Sequence, residues 1–191
     1  MIFYFFYIFL VNSVYTSLPS DNSIPCKISY EREVVNTQSR RVDLAPQYFF
    51  AFSHPEIKNF YKEENFIKTY CQISKNKGLF YLNLNLNLSS SVAKNEYGVI
   101  SNESNLVIHF IKGGKINLTC TKGSLGKAKE EDNKTIYSLS YELDKSEVKK
   151  LSKNDIDKVE IEWSSGIEAY EVYDVDAILD QMKCMEKLGL L

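Results

Sequence analysis

Apolar and polar positions alternate strictly in the middle of the chain. In Leu79–Leu88, LFYLNLNLNL, the residues Leu82, Leu84, Leu86 and Leu88 alternate with Asn83, Asn85 and Asn87. A period of two sends successive side chains to opposite faces of a strand, so the leucines read as core and the asparagines as the wetted side. An amide row of this kind is either plain solvated surface or a flat face that binds glycan or a partner strand. The window has low charge, high β propensity and no proline, which makes it prone to aggregate unless it sits mid-sheet.

The same period recurs on both sides of it. FIKTYCQI places Ile67, Thr69, Cys71 and Ile73 on one face, and KNKG turns it into the leucine–asparagine strand. CKISYEREVV reads as a first strand, NTQS as its turn and RRVDL as its return. QYFFAFSH, bracketed by Pro46 and Pro55, is a strand or a packed loop. PEIKNFYKEENF has helical spacing at Ile57, Phe60 and Tyr61 over one or two turns. NLVIHFIKGGKINLTCTKG is a hairpin in which Gly113–Gly114 can take the positive φ of a two-residue turn. TIYSLSYEL sets Tyr137, Leu139, Tyr141 and Leu143 against Ile136, Ser138 and Ser140. DKVEIEWSSGIEAYEVY is a further hairpin, with Val159, Ile161 and Trp163 inward, Glu160 and Glu162 outward, and a three-residue loop at Ser164–Gly166.

The period changes to 3.6 in two places. Asp144 and Glu147 have capping-box spacing ahead of Val148 and Leu151. In DVDAILDQMKCMEKLG, Asp174 can cap a helix whose stripe is Val175, Ile178, Leu179, Met182 and Met185, with Gly189 as its stop. At about 100° per residue, Cys184 lies opposite that stripe. It is therefore covered by a second element, exposed, or tied in a disulfide, and the disulfide is the expectation in an exported chain. The four cysteines Cys26, Cys71, Cys120 and Cys184 are all disulfide candidates, with connectivity open.

Export is expected from the N-terminus. Ile2–Val11 is an unbroken apolar run, about half the length a membrane-spanning helix needs, and Asn12 and Ser13 follow it directly. That length suits a signal peptide, although no Lys or Arg precedes the run. Residues 1–17 read as signal peptide and 22–191 as a single β-rich domain.

Composition adds limits. Hydrophobic residues make up 44% and charged residues 25% of 191, which is ordinary globular usage. Aromatics at 13% favour strands. A formal net charge of -2, with lysines interleaved among acids, gives no basic surface, so no nucleic-acid partner is expected. No stable membrane span, cofactor or metal site is expected either. The two histidines, His54 and His109, sit in no metal or catalytic motif. A catalytic pairing of Cys71 or Cys120 with His109 is formally available, but nothing local activates a thiolate. Glu160, Glu162, Glu168 and Glu171 could form a carboxylate pair for glycoside hydrolysis, but acids on the wet side of a hairpin are ordinary. Sequons at Asn87, Asn102, Asn117 and Asn133 matter only in a eukaryotic host.

The segments YELDKSEVKKLSKNDIDKVEIEW and GIEAYEVYDVDAILDQMKCMEKL order a strand, a short helix, a hairpin and a closing helix. In this order the second half resembles small exported β-rich proteins of Gram-negative bacteria to which no function has been assigned. The resemblance implies an envelope location, periplasmic or secreted, and transfers no active residue.

The expectation is thus an α+β, mostly β domain: an antiparallel sandwich-like sheet with a short helix and a C-terminal amphipathic helix. Its expected role is a non-enzymatic binding module of the cell envelope, with a protein or glycan partner. Trp163, Tyr170, Tyr173, Asn83, Asn85 and Asn87 are the candidate binding residues, and no catalytic residue is assigned. The alternatives are a periplasmic inhibitor or immunity-type protein, and a small carboxylate-dependent hydrolase.

Overall fold

The computed structural model describes residues 26–34, 39–55 and 65–191. Its elements in chain order are β1 (Ile28–Val34), β2 (Ser39–Leu44), β3 (Gln47–Phe52), β4 (Ile67–Asn76), β5 (Leu79–Leu88), α1 (Lys94–Tyr97), β6 (Asn105–Phe110), β7 (Lys115–Lys122), β8 (Lys127–Lys129), β9 (Lys134–Leu143), α2 (Lys145–Leu151), β10 (Ile156–Trp163), β11 (Gly166–Glu171) and α3 (Ala177–Lys187). All strand pairings among the described residues are antiparallel. The expected mostly β, sandwich-like class with a closing helix is what the chain adopts. The segment read as a signal peptide, residues 36–38 of the NTQS turn and most of the PEIKNFYKEENF stretch lie outside the described residues.

The strands run in the order β1-β2-β4-β5-β9-β7-β6-β10-β11, with β3 beside β4 and β8 beside β9. Strand β7 joins the two halves. Its first part, Lys115–Thr119, pairs with β6, and its last part pairs with β9 through Cys120 and Lys122, with a register shift between those two residues. The far end returns to the first half, where the backbone amides of Tyr173 and Asp174 both donate to Phe49 O, at 3.0 and 3.2 Å. The inner faces of the two halves enclose one contiguous core.

Local sequence explains the best-formed hairpin. Lys77 and Gly78 have φ of 50° and 82° and join β4 to β5 through a two-residue turn. Two successive positive φ values match the right-handed twist of the flanking strands, and glycine takes the second without steric cost. The ladder then runs unbroken from Asn76–Leu79 to Ile67–Leu88. On its other side β5 pairs with β9 over Phe80–Leu88. Both edges of the leucine–asparagine strand are therefore covered, which removes the aggregation hazard in its sequence.

Aromatic side chains fill much of the interior. Phe50 stacks on Tyr170 at 4.9 Å, and Trp163 meets Tyr97 and Tyr137 edge to face at 5.1 and 5.0 Å. Several polar tips are satisfied within the fold: Trp163 Nε1 donates to Tyr170 Oη at 3.1 Å, and Tyr137 Oη to Gly98 O at 2.8 Å.

Three local expectations need correction. The β10–β11 loop has two residues, because Trp163 pairs directly with Gly166. The β6–β7 loop runs over Ile111–Gly114, longer than a two-residue turn, with Gly113 and Gly114 both at positive φ. Helix α3 starts later than expected, with Asp176 rather than Asp174 at its N-cap and no side-chain cap bond. The capping box of α2 forms as read, Asp144 Oδ1 accepting from Glu147 N at 2.7 Å and Glu147 Oε2 from Asp144 N at 2.7 Å.

Helix α3 is held to the sheet by more than its apolar stripe. Between the pairs Asp43–Ser74 and Gln47–Cys71, the outer strand carries Leu44, Ala45 and Pro46 against Gln72 and Ile73 on β4. One extra residue makes a bulge, and Pro46 has no N–H to give the ladder. The buried Gln181 side chain fills the gap: Ile73 N donates to its Oε1 at 2.6 Å, and its Nε2 donates to Cys71 O at 3.1 Å. A side-chain amide thus stands where a peptide unit is missing.

One disulfide, Cys26–Cys184, ties the start of the described chain to α3 with Cα atoms 5.3 Å apart. Cys184 is covered by a second element and bridged. Cys71 and Cys120, also disulfide candidates from sequence, are free thiols buried among inward-facing side chains. Burial pushes both thiol pKa values up, away from thiolate chemistry.

Candidate binding face

The outer face of the central strands is built by register. Because β4, β5 and β9 pair without slippage, polar residues at alternate positions fall into rows across the sheet. One row is Gln72, Asn83 and Ser140, and the next is Tyr70, Asn85 and Ser138. Asn87 continues the second strand, opposite Ile136. The leucines between them are buried.

These side chains orient one another. Asn83 Nδ2 donates to Ser74 Oγ at 2.9 Å, and Asn83 Oδ1 accepts from Ser140 Oγ at 2.8 Å. Asn85 Nδ2 donates to Ser138 Oγ at 3.1 Å, and Asn85 Oδ1 accepts from Asn87 Nδ2 at 3.0 Å. Each amide dipole therefore has a fixed direction, which is the preorganisation a polar recognition surface needs.

Above these rows lies an open trough of about 500 Å³. Pro46 and Lys122, from opposite sides of the three strands, line its margins with Tyr70. Among the described residues no carboxylate lines it, and Lys122 is its one charged group.

Tyrosines flank the trough on the β3 side. Tyr48 meets Tyr70 at 5.9 Å, 72° between planes, and Tyr173 at 5.9 Å, 69°. Both contacts are edge to face, so each ring braces the next. Tyr173 is 81% exposed and Tyr70 36%. Partial burial raises the Tyr48 phenol pKa, with the Tyr70 and Tyr173 phenols adding in the same direction, so Tyr48 stays a neutral hydroxyl.

The residues proposed from sequence thus separate. Asn83, Asn85 and Asn87 lie together on the trough floor, and Tyr173 stands in the tyrosine cluster beside it. Trp163 and Tyr170 do not belong to this face: they are 2% and 1% exposed and form part of the core, because inward alternation on β10 and β11 carries them there. The sequence reading passed over Tyr48, Tyr70, Gln72, Lys122, Ser138 and Ser140. The alternation of FIKTYCQI and TIYSLSYEL already sets Tyr70, Gln72, Ser138 and Ser140 opposite the core.

The carboxylates of the β10–β11 hairpin are dispersed. Glu160 Oε1 lies 2.9 Å from His109 Nε2, Glu162 Oε2 accepts from Asn105 N at 2.7 Å, and Glu168 Oε2 accepts from Tyr170 Oη at 2.6 Å. Glu171 is exposed and lies opposite Lys158. Glu168 pairs with Ile161 and Glu160 with Ala169, so Glu168 projects to the inner side and Glu160 to the outer. His109 likewise faces outward, away from the buried thiols of Cys71 and Cys120. Among the described residues no group of three or more His, Cys, Asp or Glu is placed to hold a metal ion.

Fold and face together define a class: a disulfide-bridged, antiparallel β domain with a preorganised polar trough on its central strands. No protein-family model matches the chain, and comparison with curated proteins and with solved structures finds no significant similarity. Among the described residues no helix is long and apolar enough to cross a membrane.

Proposed function

We propose that this chain is an exported binding module of the bacterial cell envelope, acting without a catalytic step of its own, and that it engages its partner through the trough above β4, β5 and β9. The observation that carries this reading is the pair of hydrogen-bonded groups Asn83–Ser140 and Ser138–Asn85–Asn87 beside the braced tyrosines Tyr48, Tyr70 and Tyr173. A volume of about 500 Å³ lies within the range of sites that hold small ligands or chain segments. Exposed tyrosine is favoured at binding surfaces because a rigid, amphipathic ring loses little entropy on contact. The apolar N-terminal run and the Cys26–Cys184 bridge support an oxidising, exported location.

The test is capture from detergent-solubilised envelope by the tagged chain, compared with its Ser138→Arg and Tyr70→Ala variants. Both positions are exposed, so both variants are expected to fold. The reading expects a retained component that both variants lose. Retention unchanged in both, or no retention by any form, contradicts it.

A further inference from the structure

Resting on that reading of the trough as the binding face, we propose that its ligand is a neutral glycan chain, held by amide and hydroxyl groups on the trough floor and by sugar stacking on Tyr70.

The lining narrows the ligand class. The polar groups of the floor are amides and hydroxyls, which both donate and accept, as sugar hydroxyls do. Their mutual bonds leave each oxygen lone-pair capacity and leave Asn85 Nδ2 and Asn87 Nδ2 a second hydrogen, aimed by the first. With no carboxylate in the lining among the described residues, the trough offers no counter-charge to a cationic ligand. With one lysine at its margin, it lacks the cluster of cations that a phosphate-rich or polyanionic chain would require.

Two competing occupants are disfavoured by the same geometry. A partner strand adds to a free backbone edge, but β4, β5 and β9 are paired on both sides. A protein partner of ordinary kind presses an apolar centre into the interface, and the leucines beneath this trough, Leu84 and Leu139, are 1% and 2% exposed. What stands free is a ring. The C–H bonds on one face of a pyranose carry partial positive charge and sit well on the negative face of an aromatic ring. Tyr70, braced against Tyr48 and 36% exposed, lines the trough next to Asn85 in the same cross-strand row.

The arrangement also has chain-like dimensions. Successive outward rows along a strand lie roughly 6.6 Å apart, and the three strands span about 10 Å. Donors and acceptors therefore repeat at a spacing suited to a chain of hydroxylated rings rather than to a single one.

The experiment is affinity electrophoresis of the full chain through gels containing laminarin, mannan, dextran, galactan or chitin oligosaccharides, one at a time. Titration calorimetry follows on any glycan that retards it. The wild type is expected to be retarded by at least one of them. The Kd should rise at least tenfold in Tyr70→Ala and in Ser138→Arg and stay unchanged in Glu171→Gln, a residue remote from the trough. Thermal melts of each variant separate lost binding from lost fold; if Tyr70→Ala melts early, Ser138→Arg carries the comparison. Absence of retardation by all five glycans, or binding indifferent to both trough variants, overturns the proposal. Envelope capture distinguishes the two failures. A protein retained by the wild type and lost in both variants, with no glycan bound, removes the glycan and leaves the binding face. Loss of both results removes the face as well.

Discussion

Gln181 is the side chain on which the closing helix depends most specifically. It satisfies Ile73 N and Cys71 O, two backbone groups left over by the bulge at Leu44–Pro46. Burying a backbone group without a partner costs about 1–3 kcal/mol. Gln181→Met keeps the side-chain volume but removes both bonds, and it is expected to lower stability by about 2–4 kcal/mol in urea unfolding. Sequence reading could not find this role. Gln181 interrupts an apolar stripe, and the gap it fills arises more than a hundred residues earlier in the chain.

A second residue-scale effect belongs to Asp174. Partial burial, then the hydrogen bond and negative charge of Asp176 and the charge of Asp180, raise its pKa above the ordinary aspartate value. The folded state thus holds this proton more tightly than the unfolded state does. Its contribution to stability is fully present below the ordinary value of about 3.9 and is lost as pH rises through the raised folded value. Asp174→Asn should remove that loss. The stability difference between variant and wild type, measured by urea unfolding at a series of acidic pH values, is expected to shift in favour of the variant across this window.

At the scale of elements, what was legible was the local period. Alternation in LFYLNLNLNL, FIKTYCQI and TIYSLSYEL fixes which side of each strand is core, and the structure places those sides as read. It did not say that β9, rather than a nearer strand, lies against β5. That pairing skips three strands of sequence and is what turns separate polar sides into one face. The same alternation carried Trp163 inward while its aromatic character made it a binding candidate, and packing decided the matter. Helix α2 was legible in full because a capping box is local chemistry. Asp144→Ala should cost about 1 kcal/mol by removing the oxygen that accepts from Glu147 N. Thermal unfolding of the purified variant checks this.

For the whole molecule, the Cys26–Cys184 bridge closes a loop of 158 residues in sequence separation. In the chain-entropy account such a loop is worth up to about 5 kcal/mol, because it constrains the unfolded chain. The double variant Cys26→Ser, Cys184→Ser is expected to lose about 2–5 kcal/mol. The intact mass of chain made in an export-competent bacterium tests location and pairing together. The expected mass lacks the N-terminal apolar segment and rises on reduction by one pair of protons, since Cys71 and Cys120 are free. A full-length mass unchanged by reduction would contradict both export and the bridge.

The central claim is that binding happens on the outer face of β4, β5 and β9. Its most direct test is a two-dimensional amide NMR spectrum of the isotopically labelled chain, recorded while a polysaccharide fraction of the envelope is titrated in. The side-chain amide signals of Asn85 and Asn87 are expected to move, together with the backbone signals of Tyr70 and Ser138. Those of Glu160 and Glu162 on the β10 hairpin should stay in place. Shifts confined to the β10–β11 hairpin, with the asparagine amides unmoved, would contradict the claim.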